Sequence, residues 1–240
     1  MGSFYTVVGL HLPNHEPFIT NRSHCDICNH QLSFIDMIPI ISYLFLRGKC
    51  RYCHKKISNL STYMELFTGI LFACSYYVFG ISYNLLIALG IVTLLIIVSV
   101  SDITYFIIPD ELLIFFTGYF LIITALNSGV ISALWSILSG FLLFSIMYII
   151  MLFGNFIFKK ETLGGGDIKL SFVAGLALGP SLGTFYIALA AFLALPYAIY
   201  ITLKKKENML PFGPFLAISM LLIYFNLEAF NAFLKLLLNL

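Results

Sequence analysis

The sequence predicts an all-α polytopic membrane protein with about seven or eight transmembrane helices and a cytoplasmic zinc-binding loop. Three observations predict it. Of the 240 residues, 60% are hydrophobic and only 10% are charged, against about 25% charged in an average soluble domain. The apolar residues come in long repeated runs. The positive charges fall almost entirely in alternate connections between those runs. A chain this poor in charge cannot cover a soluble globule with polar surface, which excludes an ordinary cytosolic enzyme, a disordered chain and a basic nucleic-acid binder.

The spans follow in order at 60–79, 82–101, 112–126, 130–158, 168–178, 184–203 and 210–225. Each is expected to be helical, because backbone in lipid must satisfy its own hydrogen bonds. The run from Leu85 to Val98 lacks the alternation a membrane barrel needs. The fifth run is short and Gly-rich, so a tilted helix or one continuing through Gly179 and Pro180 is expected. The apolar segment 1–13 is too short to cross a bilayer and lacks the basic start of a signal peptide. It is expected to lie on the surface or to be the remnant of an eighth span. The segment 227–240 sets Glu228, Asn231 and Lys235 among Leu and Phe, as an interfacial helix does.

Arg22, Arg47, Lys49, Arg51, Lys55 and Lys56 precede the first long span. Lys159, Lys160 and Lys169 flank one later connection, and Lys204, Lys205 and Lys206 another. Twelve of the 13 positive residues thus share one side of a seven-span arrangement, with Lys235 the exception. The positive-inside rule makes that side cytoplasmic.

The chain divides into 1–59, an N-terminal segment with a polar loop, and 60–240, the helical domain. The loop holds two C-x-x-C pairs, Cys25 with Cys28 and Cys50 with Cys53, separated by 21 residues. Two such pairs can close a tetrahedral four-thiolate site, which selects zinc and leaves no open coordination position. Zinc here would be structural. A redox dithiol usually comes as a single pair, and stable disulfides do not suit a reducing compartment. Cys74, inside a span, reads as a small buried apolar residue.

Between Ile57 and Phe158 the only acids are Glu65, Asp102, Asp110 and Glu111. Asp102 ends an apolar run, and Asp167 follows Gly164-Gly165-Gly166 and opens the next. In the topology above both stand at the cytoplasmic end of a helix, and ionisable residues at membrane depth are costly and usually functional. Two carboxylates brought together share a proton, the arrangement of an aspartic protease. The glycines let a peptide backbone approach closely. Alternatives stand beside this reading. Asp167 can cap its helix, and Asp102 can be an acid in interfacial water. Asp110, after Pro109, reads as a cap, with Glu111 in the first turn. Glu65 either snorkels to the interface or makes a polar contact beside a bound substrate.

These residues, taken in order, resemble the type IV prepilin peptidases, the bifunctional leader peptidase and N-methyltransferase enzymes of bacteria. The resemblance runs through Gly2-Ser3-Phe4, the four cysteines, Ile38-Pro39, Tyr63-Met64-Glu65-Leu66, Ser101-Asp102, Ile108-Pro109-Asp110, Gly164 to Leu170 and Pro211-Phe212-Gly213-Pro214-Phe215. It implies that Asp102 and Asp167 are the catalytic pair and that Cys25, Cys28, Cys50 and Cys53 hold zinc. It implies prepilin or pseudopilin substrates, cleaved after a leader Gly at the cytoplasmic face of the bacterial plasma membrane. It further implies methylation of the new N-terminus with S-adenosylmethionine, with Glu65 as a candidate polar contact in that step. The family surrounds Gly-Ser-Phe with a whole span, whereas here Met1 directly precedes it. The short form looks like the competence-type members. The rivals are an ion- or proton-coupled transporter, a presenilin-like intramembrane protease, and a non-enzymatic zinc-bearing assembly protein.

Overall fold

The computed structural model describes residues 2–14, 28, 30–31, 45–46, 48–56, 60–204 and 210–238. Helices dominate them: α1 (Gly2–His11), α2 (Leu60–Phe79), α3 (Tyr83–Tyr105), α4 (Asp110–Ser128), α5 (Val130–Phe158), α6 (Gly165–Lys204), α7 (Gly213–Phe225) and α8 (Leu227–Leu238). A 3-10 turn, Leu12–Asn14, follows α1. An isolated β-bridge pairs Lys49 with Lys56. The all-α expectation holds, and the described helices follow the predicted apolar runs. Four of them, α3, α4, α5 and α6, are long and apolar enough to cross a membrane.

The central helix is α3. It begins at Ser82, whose Oγ accepts the Leu85 N–H at 3.2 Å and so satisfies one of the open donors of the first turn. Its side chains are apolar on every face from Ile87 to Val100, and Ala88, Ile91, Leu94 and Val98 are wholly buried. A helix that is apolar all round belongs in an interior. α1, α2, α4 and α7 pack around it. Small residues set the close approaches, as they do wherever helices meet in lipid. A Cβ on Gly9 would lie 2.9 Å from the side chain of Val100, and one on Gly90 would lie 2.5 Å from the ring of Tyr119 in α4.

α6 is a hairpin of two arms, 165–178 and 180–204. Gly179 (φ 76°, ψ 177°) breaks the helix ahead of Pro180. The reversal is visible in side-chain contacts. Tyr186 in the second arm faces Ser171 in the first and lies within electrostatic reach of Asp167. A straight helix would separate 167 from 186 by roughly 28 Å. Further along, the ring of Tyr197 lies 5.8 Å from that of Phe215, near the start of α7. The hairpin rests on α5 through glycines, because a Cβ on Gly175 would come within 2.7 Å of the Gly140 Cα.

The outer faces of α4, α5 and the second arm of α6 keep large apolar chains exposed, among them Ile114, Phe141, Phe156 and Phe192. Such a surface suits lipid and not water.

One alternative falls and one expectation changes. Of the two readings of the N-terminal segment, the surface-lying one gives way, since α1 packs along α2 and α3. A Cβ on Gly2 would lie 2.5 Å from the Cα of Glu65, so glycine permits the contact. Cys74 is exposed on α2, not buried.

Candidate active site

An open cleft of about 430 Å³ lies at one end of the bundle. Leu12, Pro13, Asp102, residues 106–111, residues 164–167 and Lys169 line it. Asp102 and Asp167, 65 positions apart, meet there.

Asp102 sits in the last turn of α3 and is 6% exposed. Phe106 ends that helix in the left-handed conformation (φ 56°), with its N–H returned to the Asp102 carbonyl. The chain then crosses the mouth of the cleft. The Ser101 hydroxyl donates to the Ile107 carbonyl and ties this crossing to the helix end. From the opposite side the Gly213 N–H, at the start of α7, donates to Asp102 Oδ2 at 2.9 Å. A Cβ on Gly213 would lie 2.9 Å from that same oxygen. Only a residue without a side chain allows this approach.

Asp167 stands in the first turn of α6 and is 8% exposed. Its N–H donates to the Gly164 carbonyl at 3.2 Å. The connection before it is folded by Asn155, whose Oδ1 accepts from the Thr162 N–H at 2.8 Å and from its hydroxyl at 2.9 Å. Ile108 separates the two acid-bearing segments. A Cβ on Gly166 would be 3.0 Å from the Ile108 Cβ, and one on Gly213 would be 3.1 Å from its Cδ1. The two carboxyl groups stand close enough to feel each other's charge.

Lys169, two residues after Asp167, donates to both oxygens of Asp110 at 2.7 Å. This pairing corrects the reading of Asp110 as a cap. Pro109 is the N-cap of α4 and offers no side-chain bond, while Asp110 and Glu111 occupy the first turn. The stronger partner, a lysine ammonium, takes the carboxylate. The pair also borders a second, apolar groove of about 350 Å³, lined by Leu113, Ile114, Phe141, Phe144 and Phe172 among others.

Glu65 lies on α2, beneath the first residue of α1, and is not among the residues lining either cleft.

Three of the four predicted metal ligands come together. The Sγ atoms of Cys28, Cys50 and Cys53 all lie within 4.8 Å of one another. Cys25 lies outside the described residues. A tight turn presents the second pair: the Cys50 N–H donates to the Lys55 carbonyl at 2.9 Å and the His54 N–H to the Cys50 carbonyl at 3.0 Å. Cys50 is 1% exposed. Three convergent thiols at this separation fit a soft or borderline metal ion.

Four contributors to the acid site were not read as such in the sequence. Leu12 and Pro13 reach it because α1 runs along α3. Ile108 and Gly213 stood only inside longer motifs, and Gly213 contributes only a backbone N–H.

The N-terminal third, residues 1–79, matches the family model described as the bacterial peptidase A24 N-terminal domain, and residues 89–199 match that of the type IV leader peptidase family. A prepilin leader peptidase/N-methyltransferase of Bacillus subtilis is 36% identical over 230 residues, covering 93% of this chain and 89% of that protein. One of Vibrio cholerae is 30% identical over 243 residues, covering 95% and 93%. One of Myxococcus xanthus is 33% identical over 180 residues, covering 74% and 53%. No solved structure matches.

Proposed function

This chain belongs to the type IV leader peptidase family, a family of prepilin-processing hydrolases, and from that premise we propose that Asp102 and Asp167 are its catalytic pair. The substrate is a type IV prepilin or pseudopilin, and the bond cut is the one joining its basic leader to its apolar N-terminal helix. One observation carries the reading: two nearly buried carboxyl groups, from helices far apart in sequence, line a single cleft open to the end of the bundle.

The chemistry follows from the pair. Two carboxyl groups facing one cleft favour a single shared proton. The ionised partner takes a proton from water as the water oxygen attacks the scissile carbonyl. The protonated partner donates to the carbonyl oxygen. Collapse of the tetrahedral intermediate breaks the C–N bond, and the amine leaves with a proton returned by the pair. Gly164 to Gly166 leave room for an extended peptide beside Asp167. The chain's lysines and arginines cluster in the connections on the acid side of a seven-span reading, which makes that side cytoplasmic.

Zinc, held by Cys25, Cys28, Cys50 and Cys53, supplies a crosslink that fixes the polar loop and takes no part in hydrolysis. The relatives' names carry a second activity, N-methylation. S-adenosylmethionine is the proposed methyl donor and Glu65 the proposed polar contact. Glu65 lines neither cleft.

Mass spectrometry of a pseudopilin incubated with the purified protein and S-adenosylmethionine tests the proposal. Wild type releases the leader, whereas Asp102→Asn and Asp167→Asn, folded and inserted, do not. Cleavage by either variant removes the pair. A product heavier by one methyl group establishes the transferase.

A further inference from the structure

A tyrosine buried behind Asp167 has no use in the mechanism so far. Tyr186, in the second arm of α6, is 0% exposed, yet its hydroxyl makes no hydrogen bond among the described residues. A phenylalanine would fill the same space without a polar group to satisfy, and buried polar groups are nearly always paired. Asp167 Oδ1 is likewise buried and without a hydrogen-bond partner. One orphan is a donor and the other an acceptor, and they are within electrostatic reach. Ser171 neighbours both residues. It is wholly buried, its hydroxyl donates to the Asp167 carbonyl at 3.0 Å, and the Tyr186 hydroxyl has it as a polar neighbour without closing a well-formed hydrogen bond to it. The other Asp167 oxygen, Oδ2, lies on the side of Gly164, toward the cleft.

We propose that Tyr186 is a positioning residue for Asp167. Its hydroxyl donates to one enclosed water, which in turn donates to the inward oxygen Oδ1 and so turns Oδ2 to the substrate. The α6 hairpin makes this possible, because the fold at Gly179 returns the second arm to the depth of the first turn. The inference rests on the catalytic pair proposed above. The other titratable or charged groups around Asp167 are Asp102 from α3, Asp110 and Glu111 from the start of α4, and Lys169 on its own arm.

The test measures kcat and KM across pH with the purified full-length enzyme and a pseudopilin, for wild type, Tyr186→Phe and Asp167→Asn. Tyr186→Phe keeps the ring and removes only the hydroxyl. Its kcat is expected to fall by about 10- to 100-fold, the weight of a hydrogen bond to a charged group. KM should stay within about twofold, as for an interaction that matters in the transition state alone, and the pH profile of kcat should move. A purely structural tyrosine would leave that profile in place. If Tyr186→Phe does not fold, 3-fluorotyrosine at position 186 preserves the fold and makes the hydroxyl more acidic, and the profile should move again. An unchanged kcat and profile in Tyr186→Phe, or an unchanged profile in the fluorinated enzyme, beside an inactive Asp167→Asn, overturns the role of Tyr186 and leaves the pair intact. Cleavage by Asp167→Asn overturns both.

Discussion

Single atoms decide the acid cleft, and glycines decide where those atoms go. Gly213 is the sharpest case. Its N–H holds Asp102 Oδ2, and any Cβ there would strike the same oxygen and the Val98 side chain, each at 2.9 Å. Gly213→Ala is expected to cut kcat by at least about tenfold by displacing that carboxylate. Kinetics on a pseudopilin, with circular dichroism to show that the helices persist, checks this. Lys169 makes the opposite case. Its bond to Asp110 is short, but both side chains are about half exposed. Lys169→Met should therefore cost no more than about 1 kcal/mol of stability, read as a small shift in thermal unfolding in detergent. The two aspartates were legible in the sequence because an acid against a long apolar run stands out. Gly213 was legible only as part of a motif, since every residue but proline carries an N–H. Tyr186 is one of 14 tyrosines in a chain rich in aromatics, and nothing local marks it.

Among elements, the α6 hairpin carries the most information. The seven-span reading already set its two apolar runs antiparallel on either side of Gly179-Pro180, but not which faces meet. A helix apolar all round shows no period from which a buried face can be read. The conformation at Gly179 (φ 76°, ψ 177°) belongs to a region only glycine occupies readily. Gly179→Ala is expected to destabilise the protein by about 1–3 kcal/mol, measured by thermal unfolding, with a parallel loss of activity if the second arm tilts away from Asp167. Gly175 and Gly140 make the complementary contact, with backbone nearly touching backbone. α1 was left between two readings for a related reason. The glycines at 2 and 9 that let it sit against α2 and α3 do not announce a partner.

At the scale of the whole molecule, charge and sulfur organise what the apolar residues leave undetermined. Four described helices cross by length and composition. The seven-span count and its orientation await a direct test, in which a water-soluble maleimide is applied from either side to cysteines introduced at Ser128 and Lys160. Labelling from opposite sides is the expected result. The polar loop gives a second test. Purified protein should carry about one zinc per chain, and Cys50→Ser should lose it together with several degrees of melting temperature. Metal analysis beside unfolding curves decides this. The fold has one further consequence, in time and not in space. Asp102 and the Gly213 N–H that holds it are 111 residues apart. A ribosome adding about 5–20 residues per second needs roughly ten seconds to cover that stretch. Through that interval the nascent chain already carries the first aspartate, and then the second, in the membrane. With the pair proposed above, the chain is born inert, and its peptidase site closes only once Gly213 has been made.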